Sequence, residues 1–464
     1  MLNNIIKIFL FLLLSSCTVG PDYQRPSIAD DGVIAKELQL KSNNNLPTDW
    51  YNIFNDPQLS NLVRIALEYN TDINAAVARL KQARATLAIN NVAFLPQINA
   101  QANYNYDKSS RNIALAANSD YYNIGFDASW ELDIWGKGRR QTESDIASVK
   151  SMEYSLQDIK NSITAEIVAN YISLLQNIEK LHLAKENEHL QQELFLMVQN
   201  KYKSGLSDEL TYYQAKYLLE NTKAQIPQYE SNIVAYKNAI SVLCGQFPSL
   251  LEKNKIISSV LREKIPDYSK QLNNLPAYVI RLRPDVAAAE QQLISANAQI
   301  GKAIAEIYPD VTISALWGYA AQKEAKLFNS RSQTYGYEPL ISIPILDWKR
   351  LSNNVELQKY IKEEQLNNYK KAVLSAIQEL KDAMTQYSNN LLSLQHSRES
   401  WLNADKAAEL SRKKYESGLV DFSILLNAQQ DMISAQQSYI DNLSNVYLSI
   451  IAYYKATGAP VSYN

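Results

Sequence analysis

The side chains best suited to chemistry are few in this chain. It holds 3 histidines and 2 cysteines in 464 residues. His182 and His189 lie seven residues apart, on one face of a helix, but no acidic or cysteine cluster completes a metal site around them. His396 stands far from both. The run Gly136-Lys137-Gly138-Arg139-Arg140 is glycine-rich and basic, yet it lacks the phosphate-loop spacing and the Ser/Thr that should follow the lysine. It reads better as a corner between a strand and a helix. Neither a Ser-His-Asp nor a Cys-His pairing is indicated, so the sequence predicts no enzyme, no metal and no cofactor. Energy for any transport must come from a partner. The formal net charge of -2 gives no electrostatic case for nucleic acid.

The two cysteines differ in context. Cys17 follows a weak positive segment (Lys7) and a short apolar run, Ile8 to Leu14. The sequence Leu14-Ser15-Ser16-Cys17 resembles the lipobox of bacterial lipoproteins. Residues 1–16 then read as a signal peptide, with Cys17 the new amino terminus and lipid anchor. The alternative is an ordinary signal peptide with an accidental cysteine. Thr18 in place of aspartate points to the outer membrane by the sorting rule of such lipoproteins. Cys244 would be the one free thiol of the mature chain. At the end of an apolar helical run it reads as buried and structural.

What positions these residues is a duplication. A single shift of 213 places Asp72, Ala75, Ala76 and Leu80 on Asp285, Ala288, Ala289 and Leu293. The same shift places Pro96 on Pro309, Trp135 on Trp348 and Glu166 on Glu379. It also places Lys201-Tyr202-Lys203-Ser204-Gly205-Leu206 on Lys414-Tyr415-Glu416-Ser417-Gly418-Leu419. Two copies of one unit are expected, 57–245 and 277–464, joined by a proline-bearing linker at 246–276 and preceded by an extended segment at 17–56.

Each copy repeats one pattern. An alanine-rich helix (about Pro57 to Ala93, and Pro284 to Ile307) ends at Pro96 or Pro309. A β-hairpin follows, at 97–134 and at 310–346. Ile98, Ala100, Ala102, Tyr104 and Tyr106 alternate with polar residues, as do Ile124, Phe126, Ala128, Trp130 and Leu132. The second copy offers Val311, Ile313, Ala315, Trp317 and Tyr319, then Tyr337, Pro339, Ile341, Ile343 and Ile345. Because 213 is odd, apolar positions change from even to odd, as the shift demands. Pro339 and Pro344 weaken the fourth strand. Long helices follow, about Lys137 to Lys203 and Leu351 to Tyr415, each roughly 100 Å at 1.5 Å per residue. Tight turns at Gly205-Leu206 and Gly418-Leu419 lead into return helices, about Asp208 to Leu243 and Asp421 to Lys455.

Beyond the leader, no run holds the ~18 apolar residues of a membrane helix. A closed barrel is the other structure that spans lipid, and about ten alternating residues suffice for one strand. Four strands are too few to close, since the smallest such barrels use eight. The chain must oligomerise if its strands enter lipid. The alternative is a soluble sheet packed on helices. The 30 tyrosines suit a membrane interface, or more plainly the seams between helices.

Against this background the chain resembles the outer-membrane factor family of TolC-like channels, in particular its lipoprotein branch of drug-efflux channels. The residues that carry the resemblance run from Cys17 to Pro26 and from Trp50 to Leu59. They continue in Phe94-Leu95-Pro96-Gln97-Ile98, in Trp130 to Gly136 and in Arg281-Leu282-Arg283-Pro284-Asp285-Val286. The resemblance implies a mainly helical, internally duplicated chain. Three protomers would give four strands each to a twelve-stranded transmembrane barrel, continued by a long antiparallel coiled-coil α-barrel in the periplasm. The extended N-terminal segment, the linker and the C-terminus would form an equatorial belt.

The resemblance also implies partners, namely a periplasmic membrane-fusion adaptor, an inner-membrane pump and outer-membrane lipid. Gly205, Leu206, Gly418 and Leu419 would be the tips that meet the adaptor, or simply good helix–helix turns. A periplasmic constriction would fall at Ile424, Asn427 and Asp431. Asn427 stands where the family commonly has aspartate, and Asp431 faces either the lumen or solvent. The function implied is passive export of drugs or other small toxic molecules. The alternatives are a duct for a protein-secretion system and a periplasmic coiled-coil adaptor or scaffold.

Overall fold

The computed structural model describes residues 18–27, 48–108, 110, 112, 119–248, 279–459 and 461. Cys17 and most of the expected linker lie outside the described residues. In chain order the elements are α1 (Pro57–Tyr69), α2 (Thr71–Val92), β1 (Gln97–Asp107), β2 (Ser119–Glu131), α3 (Lys137–Lys203) and α4 (Glu209–Leu243). A single helical turn, Val279–Leu282, leads into α5 (Pro284–Ala305). Then come β3 (Asp310–Ala321), β4 (Gln333–Ser342), α6 (Trp348–Glu416) and α7 (Phe422–Ala456). The protein is mainly helical, with one small antiparallel sheet.

The duplication is visible in the element ends. Those of α2 and α5, and of α4 and α7, lie 213 residues apart, as do the starts of β1 and β3. The expected first helix, Pro57 to Ala93, is two helices. Asn70 leaves the helical region (φ -61°, ψ 132°), and its Oδ1 accepts from the N–H groups of Asp72 and Ile73, capping α2. Its Nδ2 donates to the carbonyl of Leu243, the last residue of α4. The second copy breaks at the counterpart, Arg283, whose Nη1 donates to the carbonyl of Ala456, the last residue of α7. Two different side chains thus hold the same carbonyl in each copy, which no apolar periodicity reveals.

The chain forms two compact units. The first comprises Met1–Pro26, Ala78–Glu153 and Ala287–Lys371, and it contains the sheet. Strand order is β1-β2-β3-β4, all antiparallel. The register places Ala100 opposite Phe126, Phe126 opposite Trp317 and Trp317 opposite Tyr335. The even apolar positions of one copy and the odd ones of the other therefore share one face. Phe126 and Trp317 stack at 6.3 Å, and Tyr104 lies 4.8 Å from Tyr122. On the opposite face Ser129 pairs with Ser314 and Ser314 with Glu338, while Asn99 donates to Asp127. Leu316 and Leu340 interrupt that polar face.

Two strand boundaries differ from expectation. β2 starts at Ser119, ahead of the alternation at Ile124, because Tyr121 and Tyr122 pair onward with Asn105 and Tyr104. β4 runs from Gln333 to Ser342, so Ile343 and Ile345 lie beyond it. Pro344, lacking an N–H, sits just past its end.

The second unit comprises Ser27–Val77, Tyr154–Val286 and Ala372–Asn464. Its core is a helical seam rich in tyrosine, where Tyr171, Tyr387, Tyr447, Tyr453 and Tyr454 are buried and Trp50 stacks on Tyr454 at 5.3 Å. Strand tyrosines such as Tyr104, Tyr106 and Tyr337 are exposed. The buried seam tyrosines and the exposed strand tyrosines named here thus fall in different units.

Candidate gate, docking tips and anchor strap

The two tips have the same backbone. Gly205 (φ +68°) and Gly418 (φ +71°) adopt the left-handed conformation that ends a helix. Leu206 N–H donates to Lys201 O at 2.8 Å and Leu419 N–H to Lys414 O at 2.8 Å, closing the same six-residue loop in each copy. Nothing lies within 4 Å of where a glycine side chain would project. Glycine is needed here for its backbone alone. Leu206 and Leu419 are exposed at the ends of the hairpins. Asp208 caps α4 by accepting from Thr211 N–H at 2.8 Å, whereas its counterpart Asp421 makes no such bond to α7.

Just behind the tips, Leu194, Val198, Ala215, Tyr415, Phe422 and Leu425 form one buried cluster. It ties the two hairpins together. Lys201 Nζ stands 4.5 Å from the Tyr415 ring centre, and Arg412 bridges Glu193 of the other hairpin and Glu416 of its own. Glu409 lies between Lys406 and Lys413, whose hydrogen bonds hold its carboxyl down to a pKa of about 2.

On α7 the buried positions Phe422, Leu425 and Met432 define the inward face. Ile424, Asn427 and Asp431 are all exposed and fall within one arc of the helix, at i, i+3 and i+7. The side of Asp431, left open by the sequence, is thus the side of Asn427. The counterpart of Asp431 in the first copy is Leu218, which is buried. Thr211 and Gln214 stand at the counterparts of Ile424 and Asn427, so within this arc the carboxylate alone is special to the second copy.

His182 and His189 are exposed, each near a glutamate one turn on, Glu186 at 3.6 Å and Glu193 at 3.7 Å. Among the described residues no group of histidine, cysteine or carboxylate side chains has the spacing of a metal site. Cys244 is buried, and burial alone pushes its thiol up to about 11. It is an inert core residue at neutral pH.

Sequence reasoning missed the strap. Residues 18–26 lie along α3 and α5 within the first unit. Val19 N–H donates to Trp135 O, and Thr18 packs on Gly136 (φ +80°) at the corner where β2 becomes α3. The buried guanidinium of Arg140 donates to Val19 O, Gly20 O and Asp22. Gly20 lies so close to Gly301 that a side-chain carbon on it would stand 2.4 Å from the Gly301 Cα. Asn297 donates to Pro21 O, Tyr23 to Glu290, and Arg25 grips Glu290 through two bonds of 2.6 and 2.8 Å. The signals were present: a buried glutamate in an apolar helix, and an arginine in what looked like a corner loop.

A family model described as outer membrane efflux protein matches residues 62–246 and again 275–459. The chain belongs to this family. The double match follows the duplication. The probable outer membrane lipoprotein SilC of Salmonella typhimurium is 26% identical over 441 residues, covering 93% of each chain. The toluene efflux pump outer membrane protein TtgI of Pseudomonas putida is 26% identical over 472 residues, 98% of this chain and 97% of that one. Among solved structures, the outer-membrane channel OprN superposes with a TM-score of 0.87 at 28% identity, over 96% of this chain and 99% of its own. The Campylobacter jejuni CmeC channel gives 0.87 at 22% identity, over 96% and 95%, and supports the fold alone. The protein is an outer-membrane channel of tripartite efflux, with a large periplasmic helical part.

Proposed function

We propose that three copies of this chain close a twelve-stranded barrel and pass drugs or other small toxic molecules from an inner-membrane pump and its adaptor to the exterior. The observation that carries this reading is the sheet. Among the described residues nothing pairs with the outer edges of β1 and β4, and the apolar face, with Phe126, Trp317, Tyr337 and Ile341, is exposed. Free edges and a bare apolar face are tolerated in lipid only by closure with further strands. Relatives named for toluene, solvent or cation efflux suggest the substrate class, small molecules of diverse chemistry.

The remaining roles are assigned on the same reading. Cys17 carries the lipid anchor, since the strap brings its neighbour Thr18 against Gly136 at the strand–helix corner. Gly205-Leu206 and Gly418-Leu419 present exposed leucines to the adaptor. Ile424, Asn427 and Asp431 line the constriction, which closes with amides and carboxylates in place of a ring of aspartates at Asn427. The test begins with heat-labile trimers in detergent extracts of outer membranes. Deletion of the gene is then expected to sensitise cells to a drug panel without loss of secreted proteins. Loss of secretion with unchanged drug tolerance would replace efflux by secretion.

A further inference from the structure

β3 leaves α5 and β4 enters α6, so the connection between the strands, residues 322–332, lies at the end of the sheet remote from the helices. It is a built loop rather than slack chain. It holds two single turns, Glu324–Lys326 and Ser330–Ser332. Lys326 N–H donates to Lys323 O at 2.9 Å, Leu327 N–H to Glu324 O at 3.1 Å and Ser332 N–H to Asn329 O at 2.8 Å. Side chains fasten the turns further. Ser332 Oγ donates to Lys326 O at 2.8 Å, and Asn329 Oδ1 accepts from Arg331 N–H at 3.0 Å.

Two properties meet on this loop. The first is apolar. Phe328 stands edge-on to Tyr319 at 5.8 Å, Tyr319 edge-on to Trp317 at 5.8 Å, and Trp317 stacks on Phe126. The loop thus folds back onto the apolar face of the sheet and prolongs its aromatic row, while Phe328 itself remains 72% exposed.

The second property is charge. Lys323, Lys326 and Arg331 are exposed, against one carboxylate in the loop, Glu324. Among the described residues none of the three cations forms an ion pair, whether with Glu324 or with Asp107 and Asp120 at the same end of β1 and β2. At the helix end, by contrast, Lys137 meets Glu131 at 2.9 Å, Arg139 meets Asp133 at 3.2 Å and Arg350 meets Asp347 at 3.0 Å. At the places of Lys323, Lys326 and Arg331 the first copy has Ser110, Ile113 and Asn118, its own cations being Lys108 and Arg111. The hairpin therefore does not demand charge at these three positions.

The depth of the loop fits the same pair of properties. From Val311 to Ala321 the apolar row runs roughly 33 Å at about 3.3 Å per residue. Tilted by about 40°, it rises about 25 Å, the height of the apolar band of a membrane barrel. The loop then stands where hydrocarbon gives way to head groups.

On the barrel reading above, we infer that residues 323–331 are a docking site for a phosphate-bearing lipid head group, in the leaflet of the outer membrane remote from the helices. Lys323, Lys326 and Arg331 take the phosphate oxygens, the lysines as point charges and the arginine as a planar fork. Phe328 lies beside the first carbons of the acyl chains. A free phosphate would use the cations alone and a neutral lipid the ring alone, whereas a lipid phosphate uses both. The hydrogen-bonded turns hold the backbone of the site in place beforehand, which lowers the ordering cost of binding.

The test uses the full-length protein, purified as heat-labile trimers in neutral detergent at low salt. Lipid A and its dephosphorylated form are titrated in, and the rise of the trimer's thermal midpoint gives the half-saturating concentration. Lipid A is expected to stabilise the unaltered protein far more than the dephosphorylated form does, and inorganic phosphate at equal concentration is expected not to displace it. Lys323→Gln, Lys326→Gln and Arg331→Gln together are expected to raise the half-saturating concentration on the order of a hundredfold. Lys323→Arg, Lys326→Arg and Arg331→Lys together, which keep the charge, are expected to retain binding. Equal half-saturation of the parent and the glutamine variant overturns the inference and leaves the barrel reading standing, since the trimers are already in hand. Equal stabilisation by the two forms of lipid, or displacement by inorganic phosphate, overturns it in the same way. If the glutamine variant yields no trimers, Lys326→Gln and Arg331→Gln are measured singly, and unchanged half-saturation in both overturns it. Unaltered protein found only as monomers outside the membrane overturns both readings.

Discussion

On the proposed reading, Asn427 and Asp431 set the character of the gate. They share one exposed arc of α7 with Ile424, so a pore bounded by this arc meets an amide and a carboxylate one turn apart. An amide offers donors and acceptors but no net charge. Asn427→Asp adds one charge per copy beside Asp431, and like charges that close raise the local demand for cations. Stronger block of single-channel current by divalent cations is expected, measured in planar bilayers. Unchanged block would remove Asn427 from the pore. A second prediction concerns Asp158. Burial, and then Asp285, raise its pKa, and Glu379 adds to this, while Arg283 and Lys455 oppose it. The folded state therefore holds the proton more tightly than the unfolded state, and stability falls as pH rises through the raised pKa. Asp158→Asn is expected to raise the thermal midpoint at pH 7, with the gain shrinking as pH falls toward the ordinary value of 3.8. A gain that is equal at both pH values would exclude this cause. The strap was the least legible feature at this scale. Arg140, Glu290 and Gly301 each stand more than a hundred residues from their partners, which lie near the N-terminus in a segment without periodicity.

At the scale of elements, most of the architecture could be read from period and punctuation. Alternation located all four strands, and the odd shift foretold that even and odd positions would meet on one face, as the register of Phe126 with Trp317 shows. The break at Asn70 escaped because apolar spacing runs through it; the capping side chain and the Leu243 carbonyl decide it. The end of β4 was misplaced because Ile343 and Ile345 continue the alternation past the point where Pro344 ends pairing. The tips were legible, since only a left-handed residue closes so short a turn. Gly418→Asn, which tolerates that backbone, is expected to fold and assemble nearly as the parent does. Gly418→Val, which does not, is expected to cost about 1–2 kcal/mol and to loosen the hairpin end. Hydrogen exchange of the amides of 414–421 measures this directly. Equal protection in the two variants would show that the turn is held by something other than its φ.

For the whole molecule the decisive issue is what lies against each face of the sheet. No described helix is long and apolar enough to cross a membrane, and the four strands carry one mainly apolar and one mainly polar face. Phe126 and Asp127 are adjacent, point to opposite faces and occupy the same depth of β2. A barrel in lipid treats them oppositely. Phe126→Arg puts a charge among the apolar rows, at a cost of about 2–4 kcal/mol if the site is near the bilayer midplane. It is expected to abolish heat-labile trimers in the outer membrane and with them drug tolerance. Asp127→Arg stays in the aqueous lumen, so trimers are expected at normal yield, with channel selectivity shifted toward anions. A soluble sheet resting on helices would show a different pair of outcomes. There, arginine at Phe126 reaches water or a protein neighbour, and neither variant alters ion selectivity. The paired measurement, trimer yield together with reversal potential under a salt gradient, separates the two architectures because a general folding defect cannot reproduce loss at one residue and altered selectivity at the next.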